Sequence, residues 1–162
     1  MSNPPATKEG LLGALAPVLE AIRALDLSRP EEAQRALAER FPLDGPALTE
    51  VRALFRRGVE EGWLCERENA GVRFSRVLKA ASPEDWSIDA VHMSAPGPGH
   101  THPNGEVDLC FSVDGEPRFD EHAPGWTVYG PGSWHVPTVA GGAMDILYFL
   151  PGGAIVFEDR PA

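Results

Sequence analysis

The chain has 162 residues, 43% hydrophobic and 23% charged, a globular composition that excludes wholesale disorder. Its 17 glycines and 16 prolines favour turns and short strands over a helical bundle, and no apolar run approaches a membrane span. The net charge of −10 is one-sided: residues 1–80 balance twelve Lys and Arg against twelve Asp and Glu, whereas residues 81–162 set only Arg118 and Arg160 against twelve acids.

Met1 to Glu9 lacks the basic start and apolar core of a secretory signal. Cys65 and Cys110 form no CxxC pair, so free thiols in a reducing cytoplasm are expected. Leu11, Leu15, Val18, Leu19, Ile22 and Leu25 recur at helical spacing, and Pro17 either kinks that helix or starts a second one. Ser28-Arg29-Pro30-Glu31 reads as a capping box opening a helix with Ala33, Leu37 and Phe41 on its apolar face. Gly45-Pro46 breaks the chain, Leu48, Val51, Phe55 and Val59 form the next stripe, and Gly62 stops it. Residues 63–67 and 72–77 then flank Asn69-Ala70-Gly71 as a hairpin. Three helices and a hairpin resemble a winged helix, but the balanced charge of residues 1–80 argues against DNA. No nucleic-acid and no membrane partner is expected, and the helices are assigned to packing or dimerisation.

The remainder changes character. Short apolar or alternating runs near 86–93, 98–103, 106–113, 116–120, 126–130, 134–139, 144–150 and 153–158 are separated by Gly, Pro, Asn and Asp. Eight such strands predict a small antiparallel barrel or jelly roll over 81–162, preceded by a helical region over 1–80 that ends in the hairpin. Open barrel edges point to a homodimer.

The chemistry concentrates in Gly99-His100-Thr101-His102-Pro103-Asn104-Gly105-Glu106. Residues two apart on a strand share a face, so His100 and His102 align, and the Pro-Asn-Gly turn returns Glu106 beside them. Gly125, Pro131, Gly132 and His135 can supply a fourth ligand from another strand. Three imidazoles and a carboxylate suit one divalent ion of iron, manganese, zinc or nickel, among which the residue types do not choose. Strand parity adds Asp108 and Cys110 to the face of Glu106. His92, in phase with Trp86, Ile88 and Ala90, is read either as a general acid or base at the barrel mouth or as a hydrogen-bonded core histidine. Trp126, Tyr129, Trp134 and Tyr148 could wall an aromatic pocket or simply fill the core.

These two segments resemble the paired motifs of the cupin superfamily, with Pro131 and Gly132 adjacent where the pattern spaces them and Val139 at the later Asn position. The resemblance covers about residues 84–158 and implies a mostly β, cupin-type barrel. The helical front, His-Thr-His-Pro-Asn-Gly-Glu-Val-Asp-Leu and Tyr-Gly-Pro-Gly-Ser-Trp-His together resemble the 4-hydroxylaminobenzoate lyase family over nearly the full length. That resemblance implies conversion of 4-hydroxylaminobenzoate, or a related hydroxylaminoaryl acid, to 3,4-dihydroxybenzoate with release of ammonia. The partner is then a small aromatic carboxylate. Glu106, Asp108 and His92 are the catalytic candidates, and Tyr129 and Trp134 are assigned to the ring. Arg118, or a front-half arginine such as Arg73 or Arg76, is assigned to the carboxylate. Another cupin enzyme, a dioxygenase or isomerase, and a non-catalytic ligand-sensing regulator remain alternatives.

Overall fold

A computed structural model describes residues 5–160. Helix α1 (Lys8–Arg23) is capped by the Thr7 hydroxyl, which accepts from the Gly10 amide at 3.1 Å. It runs unbroken through Pro17. The carbonyl that Pro17 leaves without its usual donor belongs to Gly13, and both residues face water. Helix α2 (Pro30–Arg40) begins where the sequence places it, but no capping box forms. Ser28 turns back instead, its hydroxyl donating to Asp26 at 2.6 Å, and Arg29 occupies the cap position without a side-chain bond. Helix α3 (Pro46–Glu61) ends at Gly62 with φ +84°, the left-handed stop a glycine accepts without strain.

A short hairpin follows, β1 (Arg67–Asn69) and β2 (Val72–Leu78), with Asn69 opposite Val72. Ala70 and Gly71 between them both have positive φ, as a two-residue hairpin turn requires. The hairpin does not stand apart as a wing: β2 pairs antiparallel with β3 (Trp86–Met93), so the sheet continues across residue 80.

The later strands are β4 (His100–His102), β5 (Glu106–Phe119), β6 (Gly125–Tyr129), β7 (Ser133–His135), β8 (Val139–Pro151) and β9 (Val156–Phe157). Two strands expected on either side of Gly115 are one, β5, whose pairing with β8 shifts register at Ser112/Asp114 and again at Gly115/Arg118. Gly115 lies opposite Gly142, both at positive φ, so the glycine read as a turn absorbs a bulge. The order is β1-β2-β3-β8-β5-β6 in one antiparallel sheet and β7-β4-β9 in the other. This is a two-sheet antiparallel jelly roll with three helices in front.

Strand alternation divides the interior into two apolar layers. Ile88, Ala90, Val107, Leu109, Phe111, Leu147 and Phe149 point out of the roll and meet Leu11, Leu15, Ile22, Leu48 and Phe55 of the helices. At about 1.5–3 kcal/mol for each fully buried side chain of this kind, that layer holds the helices far more firmly than their propensities do. Trp126 Nε1 donates to the Phe41 carbonyl at 2.9 Å and adds a polar tie. The residues of opposite parity, Val91, Met93, Cys110, Phe119, Met144, Ile146 and Tyr148, form the second layer between the sheets. No helix among the described residues is long and apolar enough to cross a membrane.

Candidate metal centre

Pairing of β4 with β7 sets His100 opposite His135 and His102 opposite Ser133. The turn at Gly105, with φ +92°, then lets β5 bring Glu106 in beneath them. The Nε2 atoms of His100, His102 and His135 lie 3.6, 3.0 and 3.6 Å from Glu106 carboxylate oxygens, and all four ligand atoms fall within 4.8 Å of one another. His100, His102 and Glu106 are buried, and His135 is nearly so.

Each imidazole is oriented through its other nitrogen. His100 Nδ1 faces the Pro98 carbonyl at 3.1 Å, His102 Nδ1 faces Ser133 Oγ at 2.9 Å, and His135 Nδ1 faces Asp120 Oδ2 at 2.6 Å. The Ser133 hydroxyl donates its one hydrogen to the Gly130 carbonyl at 2.6 Å, so it accepts from His102. A carbonyl and a carboxylate likewise only accept. All three rings therefore carry hydrogen on Nδ1 and turn Nε2 toward Glu106, with the Nε2 atoms of His100 and His135 3.1 Å apart. The centre leaves ligating atoms unsatisfied: His102 Nε2 and both Glu106 oxygens are buried with no hydrogen-bond partner. Such a set is stabilised by a cation, and nitrogen and carboxylate donors fit a divalent transition metal.

The electrostatics agree. Burial opposes ionisation of Glu106, but the three imidazoles outweigh it and hold the carboxyl well below its ordinary range. Burial would lower His135, yet Asp120 and Glu106 together raise it to about 9. Asp108 shares the interior face of β5, with neither oxygen partnered. Burial, reinforced by the Glu106 charge, pushes its carboxyl well above the usual range. Tyr129 packs its ring 4.4 Å from that of His135 and 5.4 Å from that of His102, while its hydroxyl donates to Asp120.

A cavity of about 470 Å³ opens beside His100. Phe74, Val91, Met93, Tyr148 and Phe157 line it, and Arg67, Arg76 and Asp89 form its polar part. The structure thus brings together His100, His102, Glu106, His135, Asp108 and Tyr129, and sets three other candidates elsewhere. His92 is in phase with Trp86 and Ile88, but that phase faces the helices. There its Nδ1 meets Asp145 at 2.9 Å, and Arg56 of α3 grips the same carboxylate at 2.6 and 2.9 Å. Arg118 neighbours the inward Phe119 and is therefore turned outward, exposed beside Glu121. Trp134 lies between the inward Ser133 and His135, so its indole faces out and donates to the Glu158 carbonyl at 3.0 Å. Arg73 has the parity of the outward Ser75, whereas Arg76 has that of the cavity residues. Sequence reasoning missed Ser133, Asp120 and Arg67. Parity with His135 signals Ser133, but Asp120 and Arg67 reach the site only through the fold.

A two-sheet jelly roll with three histidines and a glutamate converging on one buried point belongs to the class of β proteins able to hold a divalent metal. Residues 14–157 match the family described as PnbB, 4-hydroxylaminobenzoate lyase, and the chain belongs to that family. Two relatives carry the name 4-hydroxylaminobenzoate lyase. One, from Nocardioides sp. (strain LMS-CY), is 29% identical over 96% of this chain and 98% of its own. The other, from Pseudomonas putida, is 30% identical over 77% of this chain and 82% of its own. Among solved structures, an RmlC-like cupin protein from Ralstonia eutropha JMP134 is similar at a TM-score of 0.44 and 19% identity, over 57% of this chain and 62% of that one. The chain is an enzyme of the lyase kind its family names.

Proposed function

We propose that this enzyme converts 4-hydroxylaminobenzoate and water to 3,4-dihydroxybenzoate and ammonia, with a divalent metal held by His100, His102, Glu106 and His135. The observation that carries the reading is the set of buried, unpartnered ligating atoms at the edge of an aromatic-lined cavity of about 470 Å³. The net change adds one water, expels ammonia and needs no external oxidant. The N–O bond breaks heterolytically, water attacks the ring carbon beside the one bearing nitrogen, and the resulting imine hydrolyses to the catechol. A bound divalent ion supplies Lewis acidity toward the departing hydroxyl and lowers the pKa of an attacking water.

The chain's own residues supply the rest. Ser133, Asp120 and the Pro98 carbonyl hold the three rings in the ligating tautomer. Asp108, buried on the face of Glu106 with both oxygens free, is the residue we assign to proton delivery at the leaving oxygen. Phe74, Tyr148 and Phe157 flank the ring and keep bulk water from it. An acidic interior favours the electron-poor ring that N–O cleavage leaves behind. We take the enzyme to be a cytoplasmic homodimer, on the two free buried thiols and the open edges at β1 and β9.

Anaerobic incubation with 4-hydroxylaminobenzoate tests the reaction. Equal release of ammonia and 3,4-dihydroxybenzoate, abolished by a chelator and restored by one divalent ion, is expected. An absolute need for oxygen would make the protein a dioxygenase, and no turnover would leave a ligand-binding role.

A further inference from the structure

An anionic substrate entering an acidic half of the chain needs a cation, and that half supplies none to the cavity: neither Arg118 nor Arg160 lines it. The cations that do are Arg67 of β1 and Arg76 of β2, both from the front of the chain, brought there because β2 pairs with β3. Arg76 sits opposite Asp89 in that pairing, and its Nε donates to the Asp89 carboxylate. That bond uses the inner edge of the guanidinium. Neither Nη group has a partner among the described residues, so the outer fork is free to take a second carboxylate end-on. Arg67 makes no ion pair among the described residues and adds a second positive charge at the same rim. The carboxylate of Asp89 is only about a fifth exposed, so it fixes Arg76 from inside the roll.

Building on the proposed reaction, we infer that Arg76, oriented by Asp89 and assisted by Arg67, is the specificity-determining residue that selects an aromatic carboxylate. A para-substituted benzoate is rigid, with its two substituents at opposite ends of the ring. A carboxylate held at the rim by Arg76 directs the other end inward, toward His100 in the same cavity. The arginines thus orient the substrate as well as attract it.

The test compares 4-hydroxylaminobenzoate with its uncharged amide on the metal-loaded protein. Arg76→Gln should lower kcat/KM for the acid roughly tenfold to a hundredfold, chiefly through KM, the worth of a charge-assisted pair. The amide should lose less than about threefold on the same reasoning, and Arg67→Gln should show the same pattern more weakly. Arg76→Gln strands the Asp89 charge, so the double variant Arg76→Gln/Asp89→Asn is measured beside it and should keep the pattern. Benzoate and benzamide titrated by calorimetry read the same preference without turnover. Equal losses for acid and amide, or unchanged benzoate binding by both variants, would overturn the assignment. A wild-type protein that binds benzoate through Arg76 yet fails to turn over 4-hydroxylaminobenzoate would instead remove the proposed reaction and leave Arg76 standing.

Discussion

Replacing Asp120 by Asn tests whether the centre is built from behind its ligands. The carboxylate accepts from three donors at once: His135 Nδ1 at 2.6 Å, the Thr138 amide at 2.8 Å and the Tyr129 hydroxyl. Asn keeps the shape but loses the charge and one oxygen acceptor, so the His135 ring is less basic and less firmly held. Losing a carboxylate behind a ligating imidazole costs about tenfold to a hundredfold in metal affinity, or roughly 1.4–2.7 kcal/mol. Tyr129→Phe removes one of the three donors and leaves the carboxylate on His135, so its cost should fall below about fivefold on the same scale. Competition with a chromophoric chelator, titrating zinc into each protein at one pH, reads both numbers directly. Thermal unfolding with and without the ion separates metal affinity from stability of the metal-free fold. If Asp120→Asn binds as tightly as the wild type while His135→Ala does not, the orienting role is wrong. If Tyr129→Phe costs as much as Asp120→Asn, the hydroxyl rather than the carboxylate sets the ring.

His100→Ala or His102→Ala should each strip the ion and the activity while leaving the β-rich circular dichroism spectrum intact, with metal analysis as the readout. The pH dependence follows from His135, which Asp120 and Glu106 raise from 6.5 to about 9. Below about 9 an incoming ion must displace that proton, so chelator competition should show affinity climbing about tenfold per pH unit and levelling above it. The linked stability has the opposite sign: the metal-free protein should lose stability, by thermal melts, as pH rises between 6.5 and about 9. On the helix side of the large sheet, Arg56→Ala leaves Asp145, 1% exposed, without its guanidinium. Urea unfolding should register a loss of about 3 kcal/mol, with activity per folded molecule kept.

The elements that proved legible are those whose signal is local. The stripe Leu48, Val51, Phe55 and Val59 and the stop at Gly62 define α3 by periodicity alone, and β3 spans the residues its alternation marks. Where the outcome hinged on partners, local reading misled. Gly115 carries an ordinary turn signal, yet Gly142 lies across from it on β8, and two glycines facing each other make a bulge within a continuous ladder. Ser28 has the residue type and spacing of a cap, but the helix starts at Pro30 with Arg29 at the cap position, which leaves Ser28 one residue outside and turned toward Asp26.

Parity explains why the candidate site was only partly legible. It says which residues of a strand share a face, and it grouped Glu106 with Asp108 and Cys110 and His100 with His102 as the structure has them. It does not say which of the two faces looks into the roll when both are buried. In β3 the helices cover one face and the second sheet covers the other, so His92 and Val91 are both packed although only the Val91 face meets the cavity. A sheet exposed on one side would have shown the choice as polar against apolar residues. Here the helical layer erases that contrast, because it buries the outer face as completely as the inner. The same layer also carries the chain from α3 into β1 and β2, and so delivers two arginines to a cavity that neither Arg118 nor Arg160 lines. Charge counted by sequence halves leaves Arg118, Arg73 and Arg76 as alternatives, whereas strand pairing sets Arg76 in the cavity lining and Arg73 and Arg118 outside it.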